Sequence, residues 1–85
     1  MEFEKKTITA VYIGGDRCRS CLSGDLFAEL WFRVRGRSYP VRLQFNGRGD
    51  VEQAGRFMEQ NKPGARAALV RIGCGKYASY KLTGV

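Results

Sequence analysis

The chain has 85 residues, among them 15 lysines and arginines and 8 aspartates and glutamates, which gives a formal net charge of +7. A chain of this length has room for one small hydrophobic core, so we expect residues 1–85 to form a single domain. The hydrophobic share of 44% is that of a globular protein and not of a disordered one. The positive charge favours polyanionic partners: nucleic acid first, then an anionic membrane surface or an acidic protein.

Several functions are excluded by what the sequence lacks. The chain contains no histidine, which rules out imidazole-based catalysis and metal sites that use histidine. No apolar run approaches the ~20 residues of a membrane span. The first six residues, MEFEKK, lack the apolar region of a signal peptide. We therefore expect a cytoplasmic, non-enzymatic protein that does not contact membranes and has no cofactor.

The first third of the chain predicts one strand and one loop. Thr7–Ile13 is rich in β-branched residues and is followed by Gly14 and Gly15, a pattern typical of a strand that stops at a flexible turn. The segment Asp16–Asp25 has the composition of a loop.

The clearest signal is the strict alternation in Leu26–Arg35. Its even-numbered residues are all apolar, whereas three of the five odd-numbered residues are charged. Alternation with a period of two predicts a strand with one face in the core and one face outside. Tyr39–Phe45 alternates in the same way.

The link between these two strands predicts a hairpin. Gly36 and Arg37 suit a two-residue type II′ turn, and this turn sets a register that agrees with both alternations. Pro40 donates no ladder hydrogen bond, so we expect the second strand to be an edge strand or bulged there. The opposed pairs in this register are Val34 with Tyr39, Phe32 with Val41, Leu30 with Leu43, Arg33 with Pro40, Trp31 with Arg42, and Glu29 with Gln44.

The second half of the chain predicts a helix and two strands. Asp50 is the expected N-cap of a helix that begins near Val51 and ends at Lys62-Pro63-Gly64. Val51, Ala54, Phe57 and Met58 give this helix a core-facing apolar stripe. Two more strands are then predicted, Arg66–Ile72 and Tyr77–Thr83, joined by a tight loop over Gly73–Lys76.

The predicted order β-β-β-α-β-β, mainly β with one short helix, resembles that of the OB-fold, a five-stranded, partly open barrel. The resemblance concerns the order of elements along nearly the whole chain and involves no sequence signature. It implies that a ligand lies on the face of the second and third strands, between the first-to-second and fourth-to-fifth strand loops. In this sequence these parts are Leu26–Phe45, Arg17–Gly24 and Gly73–Lys76.

The outer face of the predicted hairpin combines aromatic and cationic side chains, which is what an unpaired nucleic-acid strand needs for base stacking and phosphate contact. Five arginines and no acidic residue lie between Arg33 and Arg48, counting both ends. The structural alternative is that Trp31 and Phe27 are partly buried and that the arginines only solvate one face. The functional hypothesis assigns base stacking to Phe27, Trp31 and Tyr77, phosphate contacts to Arg33, Arg35, Arg42 and Lys81, and closure of the groove from the loops to Arg17, Arg19 and Lys76.

Three cysteines form the remaining candidate site. Cys18 and Cys21 make a C-x-x-C pair, and the OB layout places Cys74 in the facing loop. Structural zinc takes four ligands, and only an aspartate or water is left as the fourth, so we predict reduced thiols and no metal. We also expect Arg17 and Arg19 to lower the pKa of the two neighbouring thiols.

Two classes of function follow from these patterns. The first is a non-enzymatic module that binds single-stranded DNA or RNA with little sequence preference. The alternative is a small adaptor or inhibitor, of the kind found in phages or mobile elements, that binds an acidic protein surface. A thiol or zinc module is a third hypothesis.

Overall fold

The computed structural model describes residues 5–73 and 78–83, which contain five strands and one helix. The elements follow the predicted order, with three strands, a helix and two strands. Their bounds are Lys5–Arg19 for β1, Leu26–Val34 for β2, Val41–Asn46 for β3, Arg48–Gln60 for α1, Arg66–Ile72 for β4 and Ser79–Leu82 for β5.

The five strands form one antiparallel sheet that curls into a nearly closed barrel. Their order in the sheet is β3-β2-β1-β4-β5, so β3 and β5 are the edge strands. These two edges come close to each other and almost complete the barrel. The arrangement confirms the predicted mainly-β architecture and is compatible with an OB-like fold.

The core is built from the inward residues of the alternating strands, as predicted. Leu30, Phe32 and Leu69 are fully buried, and Leu43 of β3 is 7% exposed. The rings of Tyr12, Phe32 and Phe57 pack against one another at centroid distances of 5.1–5.9 Å. This cluster joins two strands of the sheet to the helix, and it fixes which face of β2 points to solvent.

The register of the hairpin is confirmed, but its turn is not the predicted one. The described ladder pairs Phe32 with Val41, and it continues in the predicted register to Phe27 and Asn46. The prediction of a type II′ turn at Gly36 and Arg37 was wrong. Instead Arg37 N–H donates to the Val34 carbonyl at 3.1 Å, which centres the turn on Arg35 and Gly36. Gly36 takes φ 86°, a conformation that glycine adopts at little cost.

The loop between β2 and β3 is consequently longer than predicted. The ladder between β2 and β3 ends at Phe32 and Val41, so the predicted pairs of Val34 with Tyr39 and of Arg33 with Pro40 do not form. Pro40, which lacks an N–H, lies in the loop, and β3 begins at the next residue. The expectation of an edge strand is confirmed, because β3 lies at one edge of the sheet.

The first strand is twice as long as predicted. The prediction of a loop over Asp16–Asp25 was wrong for its first four residues, which belong to β1. β1 continues through Gly14 and Gly15 to Arg19, with a register shift between Tyr12 and Gly14. A bulge lets a long strand bend and keep pairing. Gly15 leaves room at this bend, since a Cβ there would lie 2.6 Å from Leu30 Cδ2 and 2.9 Å from Met58 Sδ, and these side chains would have to move.

The helix begins three residues before the predicted start. Gly47 occupies the N-cap position without a side-chain hydrogen bond, so Asp50 lies in the first turn and is not the N-cap. An aspartate there still interacts favourably with the helix dipole. The helix ends at Gln60, and the backbone and side-chain amides of Asn61 both donate to the Phe57 carbonyl at 3.0 Å.

The last two strands lie where they were predicted, although β5 is shorter. β4 spans Arg66–Ile72 as expected, and β5 covers Ser79–Leu82 of the predicted Tyr77–Thr83. Lys76, Tyr77 and Cys74 fall outside the described residues. Of the helical segments that the structure describes, none has the length and apolar character needed to cross a membrane.

Candidate binding site

The outer face of β2 and β3 carries the side chains that the alternation predicted. Trp31, Arg33 and Arg42 all point away from the core, and Trp31 is 36% exposed. Trp31 and Arg42 are directly opposed in the ladder, and the Arg42 guanidinium carbon lies 6.0 Å from the indole centroid. This distance is at the outer limit of a cation–π contact.

Two carboxylates share this face and reduce its positive charge. Glu29 accepts a hydrogen bond of 3.3 Å from Arg42 Nη1. Asp16 of β1 lies directly opposite Glu29 in the neighbouring ladder. The sequence placed Asp16 in a loop, and only the longer β1 brings it beside Glu29. The outer face is therefore aromatic and mixed in charge, and not uniformly cationic.

The strongest positive feature is a groove of about 1130 Å³ where β3 and β5 approach without pairing, which we call the edge groove. Exposed side chains of β3 and β5, including Arg42 and Lys81, form its two sides. Inward side chains such as Leu43 and Tyr80 form its floor. The groove extends along the β2–β3 loop to Tyr39 and Arg35.

The edge groove is cationic. Among the described residues that line it, Asp50 is the one carboxylate, against five cations, which are Arg35, Arg37, Arg42, Arg71 and Lys81. Within the described part of the chain, Arg35 and Lys81 take part in no ion pair. A concave surface lined by charge of one sign concentrates anions.

Two tyrosines give this groove aromatic surface. Tyr39 is 82% exposed in the β2–β3 loop. Tyr80 is half-buried against the core, and its hydroxyl accepts a hydrogen bond of 3.1 Å from Arg37 Nε. The Arg37 guanidinium carbon also lies 5.3 Å from the Tyr80 ring centroid, so the ring and the hydroxyl together position Arg37.

Arg71 occupies an unusual position for a cation. It is directly opposite Tyr80 in the β4–β5 ladder and two residues after the buried Leu69, so it lies on the inner face of β4. Its Nε is buried and has no hydrogen-bond partner among the described residues. A buried donor without a partner costs free energy.

A second groove, of about 900 Å³, lies between the β1–β2 loop and the first turn of the helix, and we call it the loop groove. Phe27, Arg17 and Arg19 of the predicted site line this groove. Its cations are engaged by the protein itself: Arg19 donates to the Gly24 carbonyl, and Arg48 lies 3.9 Å from Glu52.

Arg17 is directed toward the helix and not toward the outer face. It pairs with Ala28, a buried position of β2, and its guanidinium lies 3.7 Å from Glu59. A Cβ at Gly55 would overlap this guanidinium. Arg17 therefore holds the C-terminal end of β1 against the helix. Its predicted role in closing a nucleic-acid groove is supported only by its position in the lining of the loop groove.

The predicted effect on the thiols was wrong for Cys18. The pKa of the Cys18 thiol is raised and not lowered, first by desolvation and then by the Asp16 and Glu29 carboxylates. The physical reason is the outer-face position of Cys18, opposite Phe27 and two residues from Asp16, while Arg17 turns to the other side. Burial likewise raises the pKa of Tyr12.

Cys18 and Cys21 are both free thiols. The described residues contain no group of three or more cysteine or acidic side chains placed to hold a metal ion. The predicted proximity of Cys74 lies outside the described residues.

The structure thus distributes the predicted residues over three connected surfaces. Trp31 and Arg33 lie on the outer face, and Gln44 of β3 lines both grooves, so the grooves meet at that strand. Arg35, Arg42 and Lys81 line the edge groove, whereas Phe27, Arg17 and Arg19 line the loop groove.

Sequence reasoning missed four residues of the edge groove: Arg37, Tyr39, Arg71 and Tyr80. For Arg71 a signal existed, because Ala67, Leu69 and Arg71 share one face of a strand, and a charged residue in an inward position is unusual. No comparable signal existed for Arg37, whose position depends on the turn.

The described surface therefore offers one groove that is cationic and open, next to a face that exposes an indole. Comparison with known proteins adds no family to this geometry: no family model, curated protein or solved structure matches the chain.

Proposed function

We propose that this protein is a non-enzymatic, OB-like module that binds single-stranded DNA or RNA with little sequence preference. The observation that carries the proposal is the edge groove, where the described lining residues include five cations and one carboxylate beside exposed aromatic rings. Cations along a groove neutralise phosphates and release counterions, while rings stack on unpaired bases whatever their sequence.

The aromatic residues favour a single strand over a duplex. Trp31 and Tyr39 present ring surface at the outer face and at the β2–β3 loop, and a base has to be unstacked from its neighbours to use such a ring. Bases of a duplex are stacked on each other already. Phosphate contacts alone would not favour a single strand, because a duplex carries the higher density of phosphate charge.

The proposed path of the strand follows β3. Arg42 lines the edge groove and also contacts Trp31, so one side chain links the phosphate-binding groove to the stacking surface. Lys81 flanks the same groove from β5. In the OB layout the second and third strands form the ligand face, and the edge groove extends that face across the barrel opening.

The test is a titration with short single- and double-stranded oligonucleotides, followed by Trp31 fluorescence at several salt concentrations. We expect single strands to quench the emission, with a similar affinity for unrelated sequences. Lys81→Ala should weaken binding and reduce the magnitude of the log–log salt slope by about 0.7.

Arg56→Ala is the matched control, since Arg56 is an exposed cation of the helix that lines neither groove. Its loss changes the net charge by the same amount as Lys81→Ala and should leave affinity and slope nearly unchanged. Equal effects of the two variants, or equal affinity for single and double strands, would contradict the proposal.

The second candidate is a module that binds an acidic protein. The observation in its favour is exposed aliphatic surface at the β1–β2 loop, where Leu22 is 100% and Leu26 is 52% exposed. Aliphatic side chains contribute to protein interfaces and do not stack with bases. Leu22→Ser should leave oligonucleotide binding unchanged under the first proposal and weaken capture of an acidic protein under the second.

A further inference from the structure

One end of the edge groove is formed by β4, β5 and the β2–β3 loop, and there two guanidinium groups lie around one tyrosine. Arg37 donates to the Tyr80 hydroxyl from the loop side, and Arg71 is the residue directly opposite Tyr80 on β4. Both arginines line the groove, whose described carboxylate, Asp50, belongs to the helix at the far end of β3. A third cation, Lys6, is directly opposite Arg71 in the β1–β4 ladder.

Within the part of the chain that the structure describes, the Arg71 side chain is incompletely paired. Its side chain is half-buried, its Nε is buried without a hydrogen-bond partner, and it has no ion pair in the described chain. A guanidinium in such a place is destabilising unless an anion supplies charge and acceptors. Arg37, by contrast, is already held by Tyr80, so it is positioned in advance for a ligand.

We infer that this end of the groove is a phosphate subsite, in which the terminal amino groups of Arg71 donate to the oxygens of one phosphate group, with Arg37 and Lys6 completing the positive environment. Planar guanidinium groups match the spacing of phosphate oxygens and bind them in a bidentate manner. The inference rests on the proposed function, because the phosphate is assigned to the bound strand, either as an internal phosphodiester or as a terminal phosphate.

The test observes Arg71 directly in the unmodified protein. The Nε–H resonance of Arg71, assigned by comparison with Arg71→Gln, is followed in nitrogen–proton spectra as inorganic phosphate is added, with sodium chloride at equal ionic strength as the reference. We expect a saturable shift with phosphate and none with chloride. Absence of a saturable shift would overturn the inference, even if single strands quench Trp31 and the proposed function stands.

The source of the phosphate is distinguished with two oligonucleotides of one sequence, with and without a 5′-phosphate. A tighter complex with the phosphorylated strand, lost in Arg71→Gln, assigns the subsite to a terminal phosphate. Equal affinities, both reduced several-fold in Arg71→Gln, assign it to an internal phosphodiester. Arg56→Gln, which removes an exposed cation of the helix outside both grooves, is the matched control. If Arg71→Gln binds both strands as tightly as Arg56→Gln does, the inference fails.

A third outcome separates this inference from the proposed function. If inorganic phosphate shifts the Arg71 resonance while neither oligonucleotide affects it or Trp31, the nucleic-acid proposal and the assignment of the phosphate to a strand are overturned together. Arg71→Lys keeps the charge but lacks the planar pair of terminal amino groups, so a loss of phosphate binding in this variant as well supports bidentate recognition over simple charge attraction.

Discussion

The guanidinium carbon of Arg42 lies 6.0 Å from the centroid of the Trp31 ring, in a directly opposed pair of β3 and β2. The same guanidinium is held at 3.3 Å by Glu29, two residues before Trp31 on the same face. Arg42 is thus fixed between a carboxylate and a ring before any ligand binds. The contact with Glu29 occupies part of the guanidinium that a phosphate would use, whereas the contact with Trp31 places the guanidinium beside the stacking surface, so the roles of the three side chains can be tested separately.

Trp31→Ala should weaken binding of a single strand by ~1–3 kcal/mol, because one base loses its stacking partner. The fold should survive, since Trp31 is on the outer face and 36% exposed. Fluorescence anisotropy of a labelled oligonucleotide measures the affinity, and circular dichroism reports on the fold. Trp31→Phe keeps a ring and should retain most of the affinity. Unfolding of the alanine variant would show that Trp31 is a structural residue instead.

Glu29→Gln should strengthen binding by up to about fivefold, equivalent to ~1 kcal/mol for a partly exposed ion pair. The substitution removes a carboxylate from the outer face and releases Arg42 for a phosphate. Glu59→Gln is the matched control, because it removes the same charge but frees Arg17 on the helix side. An identical gain in both variants, measured by anisotropy, would mean that net charge alone is responsible.

The parts of the fold that could be predicted are those fixed by local pattern. The alternation of Leu26–Val34 selects a core face whatever the neighbouring strands are, and a one-residue slip would place its apolar residues in water. The register with β3 followed from this constraint, and it is correct even though the turn was wrong. Several loop conformations can connect two strands in the same register, and the hydrophobic pattern of the strands does not determine which of them forms.

The parts that could not be predicted depend on distant partners. Asp16–Arg19 reads as a loop by composition, yet β2 supplies ladder partners that hold it in β1. Amino-acid composition predicts strand formation poorly where pairing with a distant strand determines the conformation of the segment. The edge groove has the same origin, because Arg42 and Lys81 come together only when the barrel closes. The sequence identified both cations but not the surface that unites them.

Gly15→Ala and Gly49→Ala should have opposite effects on stability. A Cβ at position 15 would meet Leu30 Cδ2 at 2.6 Å and Met58 Sδ at 2.9 Å, and overpacking of this kind costs ~1–3 kcal/mol. A Cβ at position 49 meets nothing within 4 Å, and alanine is favoured over glycine in a helix by up to ~1 kcal/mol. Urea unfolding of the two variants measures the difference. An unchanged free energy of unfolding for Gly15→Ala would contradict this prediction and show that the Leu30 and Met58 side chains move aside at no cost.

Cys18 should be alkylated more slowly than Cys21 near neutral pH, because its raised pKa leaves a smaller fraction of the reactive thiolate. The rate for each cysteine is followed by mass spectrometry of peptides after timed exposure to iodoacetamide across a range of pH. Asp16→Asn removes one of the two carboxylates that raise this pKa, so the rate profile of Cys18 should move to lower pH. Asp25→Asn removes a carboxylate of the β1–β2 loop that does not act on Cys18 and should leave the profile in place. The prediction is contradicted if Cys18 reacts faster than Cys21 and its rate does not change in Asp16→Asn. Arg17 and Arg19 would then lower the pKa of Cys18, and the side-chain directions described for the end of β1 would be incorrect.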